Sequence, residues 1–140
     1  MEGACTTAKP NHMTKLTVTP DCGNAPKKTF LRDFNVAFVR ADIPALLAAV
    51  TDDFAWDMIG DKRVTGKAAF AAALEEMKQH PAAELVIDKI ITHGRDAAVS
   101  GTMVMQDGKR FSFADIYTFR GAKGDMVSAL VSYVVETTEA

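Results

Sequence analysis

The chain has 140 residues, 48% hydrophobic and 24% charged, and its 16 basic and 18 acidic side chains leave a formal net charge of -2. That size and balance suit one globular core and exclude a disordered or fibrous chain. No basic run exceeds Lys27-Lys28 or Lys62-Arg63, which argues against nucleic acid as a partner. The longest nearly apolar stretches, Pro44 to Val50 and Ala129 to Val135, are far short of the roughly 20 residues of a membrane helix.

In chain order, residues 1–14 are small, polar and aperiodic and are expected to form a flexible N-terminal extension ahead of a single domain over 15–140. The start is neither basic nor followed by an apolar stretch, so no secretory signal is read and a cytoplasmic location is expected. Cys5 and Cys22 would only tie a tail to itself, and two free thiols are expected. Lys15 to Thr19 alternates polar and apolar and stops at Pro20, as an edge strand does. Phe30, Leu31, Phe34, Ala37 and Phe38 then recur at three- and four-residue steps, which predicts a helix over about 27–40. Asp42 is placed to cap a short second helix carrying Ile43, Leu46, Leu47 and Val50, with Pro44 tolerated in its first turn. Asp52-Asp53 breaks from that helix.

Phe54 to Ile59 alternates as a core strand and stops at Gly60-Asp61. A third helix follows Thr65-Gly66, with Phe70, Ala73, Leu74 and Met77 on one stripe, and ends at His80-Pro81. Four strands complete the chain, over about 84–92, 97–106, 109–120 and 126–136. Asp107-Gly108 signals a two-residue hairpin turn, and Gly94-Arg95 does so less sharply. Helices first and an antiparallel meander second predict an α+β domain, about three N-terminal helices packed on one face of a curved antiparallel sheet.

The chemistry concentrates in Phe111 to Phe119. Strand alternation puts Phe111, Phe113, Asp115, Tyr117 and Phe119 on one face. A carboxylate inside an aromatic row is desolvated, which favours its protonated form and makes it a candidate functional group. The other reading of Asp115 is structural, a hydrogen bond to a neighbour such as Tyr117. Asp57, between Trp56 and Met58, is a second candidate acid, and either face of its strand could be the wet one. Two acids in unlike environments could divide base and donor roles. Trp56 could line a pocket with its N–H toward a ligand, and Met58, Met77, Met103 and Met105 suit an adaptable apolar cavity. His12, His80 and His93 have no metal-ligand spacing. There is neither a nucleophile elbow nor a glycine-rich phosphate loop, so no metal or nucleotide cofactor is expected.

The order helix, Asp42 turn, helix, Asp52-Asp53, Trp56-Asp57, Gly60, Gly66, helix, four strands resembles the NTF2-like superfamily and its SnoaL-like members over about three quarters of the chain. The resemblance implies a cone around a small-molecule pocket and chemistry of the ketosteroid isomerase or polyketide cyclase kind, without metal or cofactor. Trp56-Asp57-Met58-Ile59-Gly60 looks like the stretch that carries the isomerase base, which implies that role for Asp57. Ala114-Asp115-Ile116-Tyr117-Thr118-Phe119 looks like the stretch that carries its protonated acid, which makes Asp115 the acid or oxyanion donor. Phe34 stands where that enzyme has a catalytic tyrosine, a departure that counts against steroid isomerisation. Gly101-Thr102-Met103 lacks the Arg-x-Asp pair of limonene epoxide hydrolase. Phe34, Trp56, Met58, Phe113 and Tyr117 are the implied pocket wall, and the ligand a small apolar or carbonyl-containing molecule. The resemblance also implies a homodimer through the sheet face that would carry Ser100, Thr102, Ser112, Ser128 and Ser132. A non-catalytic binding or protein-interaction domain is the alternative.

Overall fold

In the computed structural model, which describes residues 14–18 and 25–137, the chain order is β1 (Lys15–Val18), α1 (Pro26–Val39), α2 (Ile43–Ala48), β2 (Val50–Met58), β3 (Arg63–Thr65), α3 (Lys67–Met77), β4 (Ala82–His93), β5 (Asp96–Met105), β6 (Arg110–Phe119) and β7 (Val127–Thr137). The expectations placed on the N-terminal extension, on Cys5, Cys22 and His12, and on the turn at 20–24 lie outside the described residues. The seven strands form one sheet in the order β1-β4-β5-β6-β7-β2-β3. It is mixed, not purely antiparallel: β1 runs parallel to β4 and β2 runs parallel to β7. Each of these pairs joins strands separated by a long stretch of sequence that includes at least one helix, the kind of crossover that parallel pairing needs.

The three helices form where the apolar stripes predict them. Pro26 opens α1 at a position where its missing N–H costs nothing. Asp42 caps α2, accepting from the Ala45 amide at 3.3 Å. After α1 the chain closes through Ala41, held at φ 57, with Asp42 N–H bonded to the Ala37 carbonyl at 2.9 Å and Ala41 N–H to that of Phe38 at 3.1 Å. Gly66, at φ 91, turns the chain into α3.

Most expected strand bounds shift by a residue or two, β3 is absent from the expected strands, Val50 belongs to β2 and not to the second helix, and two further differences concern the start of β2 and the Asp107-Gly108 turn. β2 begins at Val50, and Asp52-Asp53 lies within it, because Val50 pairs with Val127 before a register shift that precedes Ala55. The Asp107-Gly108 signal does make a hairpin, but through a three-residue loop. Gly108 sits at φ 93 with its N–H on the Met105 carbonyl at 2.9 Å, and Met105 N–H bonds the Lys109 carbonyl at 2.8 Å. The two-residue turn falls at Gly94-Arg95, where Gly94 has φ 60 and His93 pairs with Asp96.

The core lies between the helices and the concave face of the sheet, with Leu31, Leu46, Phe54, Phe70, Tyr117 and Phe119 almost wholly buried. Gly101 belongs to this face, opposite Phe113. A Cβ there would overlap the Val86 carbonyl oxygen and stand 3.0 Å from Phe113 Cζ. Gly101→Ala is therefore expected to destabilise the fold by about 1–2 kcal/mol, read by urea unfolding; unchanged stability would show that β4 yields freely at that carbonyl.

Candidate functional site

A partly open cavity of about 1080 Å³ lies between α1, α3 and the concave face of the sheet. Cross-strand register decides which side chains enter it. Val99, Asp115, Ser132 and Met58 are paired in sequence across β5, β6, β7 and β2, and so share a face; Ala97, Tyr117, Leu130 and Trp56 form the adjoining row. Phe34, Trp56, Met58, Phe113, Asp115 and Tyr117 all line the cavity, as do Met77, Met103 and Met105.

Asp57 does not join them. Trp56 and Met58 point into the cone, so Asp57 falls on the convex face with its partners Val131 and Arg63. There it stands 3.9 Å from the Arg63 guanidinium, both side chains well exposed. The two candidate acids therefore occupy opposite faces of the sheet and cannot divide roles in one site.

Asp115 is half-buried and sits at the meeting point of two hydrogen-bonded arms. On one side, the indole N–H of Trp56 donates to Ser132 Oγ at 2.9 Å. Because that N–H can only donate, the serine oxygen is the acceptor and its own proton goes to Asp115. On the other side, Asn35 donates to the Leu31 carbonyl at 2.9 Å and to the Tyr117 hydroxyl at 3.1 Å. The tyrosine proton then goes to Asp115. The rings hold these donors in place: Trp56 is edge-on to Phe38 at 5.9 Å and to Phe70 at 5.6 Å, and Phe34 is edge-on to Tyr117 at 5.7 Å.

Burial pushes the Asp115 carboxyl up from 3.8 to about 6, against the opposing effect of the Ser132 and Tyr117 hydrogen bonds, which favour the anion. Burial, and then the neighbouring Asp115 charge, raise the Tyr117 phenol well above its ordinary value, so it remains a donor. Asp115 thus accepts two hydrogen bonds from the protein.

Ser132 and Asn35 are the members of this network that sequence reading missed as site residues. Ser132 is buried on the concave face and not on the outer one, because it pairs with Asp115. The signal was present: Leu130, Ser132 and Val134 alternate. Asn35 lies four residues after Leu31 on the buried stripe of α1, where an amide needs polar partners. No buried side-chain nitrogen or oxygen among the described residues lacks a partner. The described residues also contain no cluster of three or more histidine, cysteine or acidic side chains able to hold a metal, and no helix long and apolar enough to cross a membrane.

Residues 31–128 match the SnoaL-like domain. An NTF2-like protein of unknown function from Cytophaga hutchinsonii is similar at 26% identity and a TM-score of 0.60, over 78% of this chain and 99% of that one. A putative ketosteroid isomerase from Kribbella flavida superposes with a TM-score of 0.64 at 19% identity, over 81% of each chain. A putative SnoaL-like polyketide cyclase from Shewanella denitrificans does so with a TM-score of 0.68 at 11% identity, over 80% of this chain and 92% of that one. A search of curated proteins found no match.

Proposed function

The chain belongs to the SnoaL-like family, and we propose that its cone binds a small, largely apolar molecule and presents Asp115 to it as the proton acceptor of a cofactor-free isomerase- or cyclase-type reaction. The observation that carries this reading is the position of Asp115. It is a carboxylate on the wall of a large, mostly apolar cavity, raised to about 6 and held by two donors. A base poised near the working pH combines a useful ionised fraction with real basicity. Asp57 has no part in this proposal.

Trp56 is the single tryptophan and lines the cavity, so its emission reports occupancy directly. Titration with N-phenyl-1-naphthylamine, a neutral apolar fluorophore, is expected to give saturable energy transfer from Trp56; no saturable change would overturn binding in the cone. For the reaction, α-hydrogen exchange of 2-tetralone in deuterium oxide is expected to fall about 100-fold or more in Asp115→Asn. Equal exchange in both proteins would remove the proton-transfer half of the reading and leave the binding half.

One observation favours a second reading, a binding domain without turnover. Phe34 supplies no hydroxyl, and the deep donors of Trp56, Asn35, Tyr117 and Ser132 are committed to hydrogen bonds within the protein. An enolate oxygen would find no free side-chain donor among them. The tetralone experiment separates the two readings.

The homodimer is proposed on the convex face. Ile116, Tyr133 and Val135 are 42%, 48% and 62% exposed there, beside Thr102 and Ser112 on neighbouring strands. An apolar patch flanked by small polar residues suits a self-complementary interface. Sedimentation velocity is expected to show a dimer that Val135→Lys dissociates; a monomeric parent protein would overturn the assignment.

A further inference from the structure

The direction of every hydrogen bond around Asp115 constrains what can be bound beside it. Trp56 gives its N–H to Ser132, Asn35 gives both N–H groups to Leu31 and Tyr117, and Ser132 and Tyr117 give their protons to Asp115. These deep side chains therefore offer a ligand one strong polar feature, the unoccupied lone pairs of the carboxylate. A carboxylate has about four acceptor sites, and the protein fills two. Around it stand the rings of Phe34, Trp56, Phe113 and Tyr117. Aromatic faces attract cations, most strongly when water is excluded. A carbonyl oxygen set beside the carboxylate would face another acceptor, so a ketone meets Asp115 through its C–H groups alone; a ligand that brings its own charged donor meets both the carboxylate and the rings favourably.

We propose that the cavity recognises a largely apolar amine, its ammonium group hydrogen-bonded to Asp115 and its hydrocarbon body against Phe34, Trp56 and Phe113. This rests on the reading that the cone binds a ligand at Asp115, and it gives that ligand a chemical class. The ammonium compensates a charge that burial otherwise disfavours, so affinity is linked to the ionised state of Asp115. Tyr117 is the titratable group directly against Asp115, and it stays protonated. The remaining titratable groups on the lining, Arg40, Asp61, Lys78 and His80, come from the ends of α1 and α3 and the turn after β2, and Lys78 stands 3.4 Å from Glu75. None of these is on the Asp115 strand.

The test compares 2-naphthylmethylamine with its neutral isostere 2-naphthalenemethanol by calorimetry on the full chain. At about pH 7.5 the amine is expected to bind at least about tenfold more tightly, the range of a desolvated charge-assisted hydrogen bond with ring contacts. That preference is expected to fall about tenfold at about pH 5, where Asp115 is mostly protonated, and to vanish in Asp115→Asn. The pH arm uses the unaltered protein and stands even if the variant folds poorly. Equal binding of amine and alcohol, or an amine preference that survives both loss of ionisation and Asp115→Asn, overturns the proposal while leaving the cone a binding site. Failure of both compounds and of the neutral fluorophore to bind overturns the amine proposal and the binding reading together.

Discussion

Asp115→Asn is expected to make the protein more stable near neutral pH and to change little at acid pH. In the folded chain this carboxyl titrates at about 6, above its ordinary 3.8. The folded state therefore binds more protons than the unfolded state between those values, and the contribution of Asp115 to stability falls as pH rises through that window. Below 3.8 both states carry the proton and the penalty is absent; above about 6 it is complete. The displacement corresponds to up to about 3 kcal/mol. Urea unfolding of both proteins from about pH 3.5 to 7.5 reads the effect as a difference. The other carboxylates titrate alike in each and cancel. The variant is expected to gain on the parent as pH rises; a difference independent of pH would mean that Asp115 carries no strain of burial, and the proton-acceptor reading would lose its basis. Stability gained at the same position where proton exchange is lost is the pattern of a group kept for function at a cost to the fold.

The second large effect is expected at Ser132. Ser132→Ala removes the acceptor of the Trp56 indole N–H and one of the two donors to Asp115. Trp56 is 5% exposed, so its N–H is left with little access to water, and a loss of about 2–3 kcal/mol is expected. The Asp115 anion loses a stabilising partner, so its midpoint should rise by roughly one pH unit. Carbon-detected NMR titration of the aspartate carboxyls checks this. Ser132→Thr, which retains the hydroxyl and suits a strand, should restore both properties. A lower stability with an unchanged Asp115 midpoint would show that Ser132 serves packing around Trp56 and does not act on the acid.

Part of this site is legible in the order of amino acids alone. The period-two row from Phe111 to Phe119 places Asp115 among aromatics, and the fold sets that row along the concave face. Helix stripes give α1, α2 and α3 to within a few residues, because burying one face of a helix requires apolar residues at three- and four-residue steps, and that requirement is local. The Asp42 cap is equally local, resting on one side chain and the amide three residues on.

Register is where local pattern falls silent. Alternation states that Trp56 and Asp57 face opposite ways, but not which of them faces the core. The parallel pairing of β2 with β7, set against Leu130 and Ser132, turns Trp56 inward and sends Asp57 to Arg63. Ser132 shows the same dependence: a serine in an apolar alternation is an outer-face residue until its partner across the strand proves to be the half-buried Asp115. A one-residue change of register reverses every side chain in a strand, and register here is fixed by contacts between distant segments, as between Trp56 and Ser132, 76 residues apart. Short-range periodicity is thus enough to place the three helices and the longer strands and to say which strand carries the acid, though not the short β3. The donors that reach that acid, Ser132 and Tyr117, are oriented by the assembled sheet and α1, because Trp56 bonds to Ser132 and Asn35 to Tyr117 through pairings that no local pattern encodes.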